Sequence, residues 1–85
     1  MKIRLEKLRE VARVAVREAL TRCPPVPARL RQELTLGVEI AGDERVFILY
    51  NAGERPEDAL FIARAVLDVS TGEVKQVEVF PENWT

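Results

Sequence analysis

From Ala63 to Phe80 the chain runs Ala63-Arg64-Ala65-Val66-Leu67-Asp68-Val69, then Ser70-Thr71-Gly72-Glu73, then Val74-Lys75-Gln76-Val77-Glu78-Val79-Phe80. β-Branched residues on both sides of a short turn segment read as two strands joined tightly. No other stretch constrains the fold as much. The second half of the chain is an antiparallel sheet, and this stretch carries almost no chemistry.

Working back from that hairpin, the apolar spacing changes once. Leu34, Leu36, Val38 and Ile40 alternate with Glu33, Thr35, Gly37 and Glu39, which predicts a half-buried strand with one wet face. Gly42-Asp43-Glu44 turns the chain. Val46-Phe47-Ile48-Leu49-Tyr50 is apolar on both sides and reads as a central strand. Asn51 to Asp58, with Gly53 and Pro56, is a loop. The expected strands are 33–41, 45–51, 59–69 and 74–80. Pro81 closes the last one and leaves Glu82-Asn83-Trp84-Thr85 as a tail.

Before residue 23 the spacing is helical. At 100° per residue, Leu5, Leu8, Val11, Ala12, Ala15, Val16 and Ala19 share one face, with Glu6, Arg9, Glu10, Arg13 and Arg17 opposite. The pattern predicts a helix over 3–22, with Ile3 and Val14 off the main stripe. Pro24, Pro25 and Pro27 stop it, so 23–27 reads as a stiff, extended connector. The expected architecture is α+β: one helix lying across one face of a curved, four-stranded meander. Phe47, Leu49, Phe61, Ala63, Ala65 and Leu67 would face the helix. Val46, Ile48, Tyr50, Leu60, Ile62, Arg64, Val66 and Asp68 would face away.

The order of one helix and four antiparallel strands is similar to a minimal cystatin-like fold. Val66-Leu67-Asp68-Val69-Ser70-Thr71-Gly72-Glu73-Val74 resembles the closing hairpin of PepSY domains and of small YrhB-type bacterial immunity domains. Val46-Phe47-Ile48-Leu49-Tyr50-Asn51 looks like the preceding strand of the immunity group. The likeness covers about half the chain and implies a bacterial protein with an immunity-like or regulatory role. Inhibitory cystatins carry a Gln-Val-x-x-Gly hairpin. Gln76-Val77-Glu78-Val79-Phe80 lacks that glycine and sits inside a strand, which argues against protease inhibition by that route.

Composition narrows the chemistry further. The chain has no histidine and one cysteine, Cys23, so it offers neither a Ser-His-Asp nor a Cys-His arrangement, nor a zinc ligand set. Cys23 follows the helix C-terminus, where the dipole disfavours a thiolate. It has no partner for an intrachain disulfide and suits a reducing, cytoplasmic setting. The opening Met1-Lys2-Ile3-Arg4 lacks the apolar core of a signal peptide. No run of apolar residues is long enough for a membrane span. Four scattered glycines make no phosphate loop. Asp43-Glu44 and Glu57-Asp58 are paired acids, but both lie in turns. No catalytic, cofactor-binding or metal residue is expected, and no cofactor.

Charge is divided unevenly. Residues 1–32 carry nine basic and three acidic side chains, a net of +6, and residues 33–85 carry four and eleven, a net of −7. The halves should attract on packing. A basic helix bearing Arg9, Arg13 and Arg17 also admits a nucleic-acid reading, although no aromatics interleave with it to stack on bases. A third reading is a cone-shaped sheet with a small-ligand or enzymatic pocket lined by Tyr50, Arg64 and Asp68. The expected function is protein binding by the sheet face turned from the helix. Its expected contact residues are Val46, Ile48, Tyr50, Ile62, Arg64 and Val66, and its expected partner is another protein or a second copy in a homodimer.

Overall fold

The computed structural model describes residues 2–85. A 16-residue helix, α1 (Leu5–Leu20), is followed by the four-residue α2 (Ala28–Arg31). Four strands come next: β1 (Leu34–Ala41), β2 (Glu44–Asn51), β3 (Leu60–Asp68) and β4 (Val74–Val79). They form one antiparallel sheet in the order β1-β2-β3-β4, so every strand pairs with its neighbour in sequence. The arrangement is α+β, a helix packed on a meander, and is compatible with a cystatin-like fold. Among the described residues no helix is long and apolar enough to cross a membrane.

Short-range chemistry explains each turn. Gly42 has φ of +62°, which a two-residue hairpin between Ala41 and Glu44 requires and which glycine adopts without strain. At the β3–β4 turn, the Asp68 carboxylate accepts the N–H groups of Ser70 (2.8 Å) and Thr71 (3.0 Å). The Thr71 hydroxyl accepts the N–H of Glu73 at 3.1 Å. These side chains satisfy turn N–H groups that no strand partner reaches.

α1 is shorter than its periodicity suggests. Ile3 stands outside the helix, and its N–H donates to the Val69 carbonyl at 2.8 Å. At the far end the chain has already turned by Thr21, whose hydroxyl donates to the Glu18 carbonyl at 2.6 Å. The stretch after Pro27 also departs from expectation. It is not only an approach to β1 but makes the short α2, whose Leu30 is buried.

Two clusters hold the layers together. In the first, Leu8, Ala12 and Val16 of α1 meet Phe47, Ala63, Ala65 and Leu67 of the sheet, with Val69 beside them. Ala12, Ala63 and Ala65 have no exposed surface, and their small side chains let helix and sheet approach closely. The second cluster joins Leu30, Ile62 and Trp84. Here the tail turns back, the indole N–H of Trp84 donating to the Pro24 carbonyl at 3.2 Å. Leu20, Leu49 and Val79 pack against both clusters and connect them.

One register shift reassigns the faces of β3. Leu49 pairs with Ala63, but Tyr50 pairs with Phe61, so Ile62 is an extra residue in a β-bulge. Strict alternation sends Phe61 toward the helix and Ile62 away. The bulge reverses both. Ile62 is 0% exposed in the second cluster, while Phe61 is 50% exposed. Leu60, expected to face outward, packs against the second cluster as well.

Candidate protein-binding surface

The six residues expected to form a contact surface do not stay together. Val46, Ile48, Tyr50, Arg64 and Val66 do share the outer face, with Val46 opposite Val66 and Ile48 opposite Arg64. Ile62 does not. It lies on the helix side beneath Leu30 and Trp84, and its assignment to the outer face is corrected by the bulge.

The outer face is also less apolar than expected. Val46 and Val66 are buried despite having no helix above them. By register they sit among long polar side chains, with Arg64 and Glu44 on their own strands and Gln76 opposite Val66. Those side chains form two networks. Arg64 donates to Glu78 at 3.0 Å, and the same carboxylate oxygen accepts from Gln76 at 2.8 Å. Lys75 donates to Glu44 at 2.9 Å and lies 4.0 Å from Asp68.

The second network perturbs its members. Backbone N–H donation from Thr71 and Ser70, with Lys75 nearby, holds the Asp68 carboxyl below its ordinary value. The hydrogen bond to Glu44 raises Lys75 above its own. At the other end of this face, the Tyr50 and Phe61 rings meet edge to face with centroids 6.4 Å apart. A Cβ on Gly37 would come within 3.3 Å of the Tyr50 ring, close enough that the ring would have to shift slightly to admit it.

Phe61 is the exposed apolar side chain of the outer face, and the most exposed one of the sheet, Ile40, is on the opposite side. α1 packs over β3 and β4 and leaves the β1 edge of the helix-side face thinly covered: Leu34 and Leu36 still pack against the two clusters, but the strand beyond them does not. The reason is dimensional. A helix is about 10–12 Å across and strands are spaced by about 4.8 Å, so one helix covers roughly two strands. Val38 and Ile40, which alternation places on this side with Leu36, are 36% and 73% exposed. Between this row and the helix lies a groove of about 230 Å³, with an apolar lining of Val16, Leu20, Leu36 and Leu49. Arg13 and Arg17 complete its walls.

These two arginines belong to the basic stripe. Arg13 is in contact with Glu10 at 3.4 Å, whereas Arg17 has no acidic partner among the described residues. Arg9 is half-buried, with its Nε lacking a hydrogen-bond partner. The stripe therefore does not present three equivalent cations to solvent. A second hollow, on the β4 flank of α1, is lined by Val11, Val14, Ala15 and Val74 with Lys7, Glu10 and Glu18.

Sequence reasoning missed the Leu36–Val38–Ile40 row, although its signal was present as a clean alternation. What it missed was the width of the cover, not the pattern of the strand. Among the described residues no three His, Cys, Asp or Glu side chains stand close enough to hold a metal ion. Compared with known families, characterised proteins and solved structures, the chain finds no match.

Proposed function

We propose that this chain is a small non-enzymatic protein-binding module whose docking surface is the thinly covered β1 edge of the helix-side sheet face. The observation that carries the reading is the apolar row ending at Ile40, 73% exposed, beside a groove walled by Arg13 and Arg17. An exposed apolar strip with a charged rim is the anatomy of a protein contact. The arginines favour a partner segment in which apolar side chains alternate with acids.

The non-enzymatic part of the proposal is supported by the groove's lining, whose only charged members are those arginines, with no acid or nucleophile. A cystatin-like, PepSY-like or YrhB-type relationship, and with it an immunity-like or regulatory role in a bacterial cytoplasm, belongs to the same proposal. The helix-on-meander arrangement supports that relationship only at the level of architecture.

Selection from a displayed peptide library tests the surface. Enriched peptides should combine apolar and acidic residues, and Val38→Glu or Arg17→Glu should weaken them at least tenfold. Peptides indifferent to both substitutions but lost on Phe61→Glu would move the docking surface to the outer face and overturn the assignment.

A further inference from the structure

The two edges of the sheet are not alike. β4 is interrupted by a register shift between Val66 and Leu67 that leaves Lys75 without a pairing partner, and Pro81 stands two residues past its end at Val79. A bulge, a lysine and a proline are the features that keep an edge from pairing with another chain. β1 has none of them. Its eight residues pair with β2 without a shift, contain no proline, lysine or arginine, and carry one charge, Glu39.

Which backbone groups this edge offers follows from the turn. The two-residue hairpin makes Ala41 and Glu44 a hydrogen-bonded pair, so Thr35, Gly37, Glu39 and Ala41 direct their N–H and C=O groups to β2. Leu34, Leu36, Val38 and Ile40 direct theirs outward. The residues with free backbone groups thus include Val38 and Ile40, the exposed apolar side chains of β1, and Leu36, which lines the groove.

We infer that the partner at this surface is a second copy of the chain, its β1 paired antiparallel to β1 about a two-fold axis through Val38, to make a continuous eight-stranded sheet. The inference rests on the reading of the β1 edge as the docking surface. It is argued from self-complementarity. With the axis at Val38, that side chain meets its own counterpart, and Leu36 and Ile40 stand opposite each other twice. On the outer side Gly37 stands opposite Glu39, and Thr35 opposite Ala41. No side chain of β1 has a like charge directly across from it, and Leu36, Val38 and Ile40 each gain an apolar neighbour.

Sedimentation of the full chain over a wide concentration range, with amide exchange read residue by residue, tests this. The parent should dimerise. Exchange at Leu36, Val38 and Ile40 should slow as concentration rises, while Gly37 and Glu39, bonded to β2, stay protected throughout. Ile40→Lys acts twice in a symmetric dimer and should weaken association about a hundredfold while leaving the melting of the dilute protein unchanged. Phe61→Lys, on the outer face, should leave association intact. A parent that stays monomeric, with these three amides exchanging fast while the selected peptides still bind, removes the second copy and leaves the docking surface standing. A monomer that binds no peptide removes both. A dimer broken by Phe61→Lys but not by Ile40→Lys places the contact elsewhere and overturns the inference.

Discussion

Replacing Ile62 and Phe61 in turn by alanine tests the bulge that decides the faces of β3, because the two readings of the strand rank these variants oppositely. Ile62 has no exposed surface. Truncating a buried isoleucine costs about 2–5 kcal/mol, made up of lost transfer energy and the cavity left behind. Phe61 is the larger side chain, but half of it is already in water. Half of a full burial is worth about 1 kcal/mol, and the edge contact with Tyr50 adds roughly 0.5–1. Ile62→Ala should therefore cost about twice as much as Phe61→Ala. A chain of 85 residues has a total stability of about 4–13 kcal/mol, so Ile62→Ala removes a large part of it. Urea titration followed by far-UV circular dichroism is the assay. With a slope of about 1 kcal/mol per molar, the midpoint should fall by about 2–5 M for Ile62→Ala and about 1.5–2 M for Phe61→Ala. The gentler Ile62→Val, at about 0.5–1.5 kcal/mol, keeps the comparison measurable if the alanine variant does not fold. Should Phe61→Ala prove the more damaging of the two, the strand alternates without interruption and the face assignment falls.

Three further outcomes are expected. The buried Asn51 amide donates to the Leu30 carbonyl at 3.1 Å and its oxygen accepts the Gly53 N–H at 3.1 Å, so Asn51→Ala should cost about 1–3 kcal/mol in chemical denaturation. Asp68 is held below its ordinary value of 3.8, so its contribution to stability is present above that value and is lost as pH falls through the lower folded value; Asp68→Asn should flatten the acid limb of a stability–pH curve. Duplex DNA or RNA should show no salt-sensitive binding at micromolar protein. A gel shift abolished both by salt and by changing Arg9, Arg13 and Arg17 to Glu would restore the nucleic-acid reading.

The elements most legible in the sequence are those governed by local chemistry. Leu8, Ala12 and Val16 could be read as the buried stripe of α1 because helical spacing alone puts them on one face. The meander followed from short turns between alternating runs. Ile62 could not be placed in this way. One inserted residue reverses the alternation beyond it, and nothing in Leu60-Phe61-Ile62-Ala63 marks where the insertion falls. α2 escaped notice because four residues are too few to show a helical period. The expected contact surface was placed on the outer face because the helix was taken to cover the whole of the other. Arg64, named among the expected contact residues, is held by a cross-strand ion pair with Glu78. The same networks that shield Val46 and Val66 make the outer face an unpromising place for an apolar contact.

The bond between Trp84 and Pro24 spans 60 positions of sequence, whereas the hairpins of the meander close over turns of a few residues. Closing a long loop costs more chain entropy than closing a short one, by about 0.6 kcal/mol for each doubling of length. The tail therefore has reason to dock late, after the strands have paired. Trp84 is the chain's one tryptophan, so its emission reports on that clasp and on little else. In a stopped-flow refolding experiment the ellipticity of the sheet should recover first and the indole signal follow. The lag between them times the moment at which the two ends of the fold are tied together.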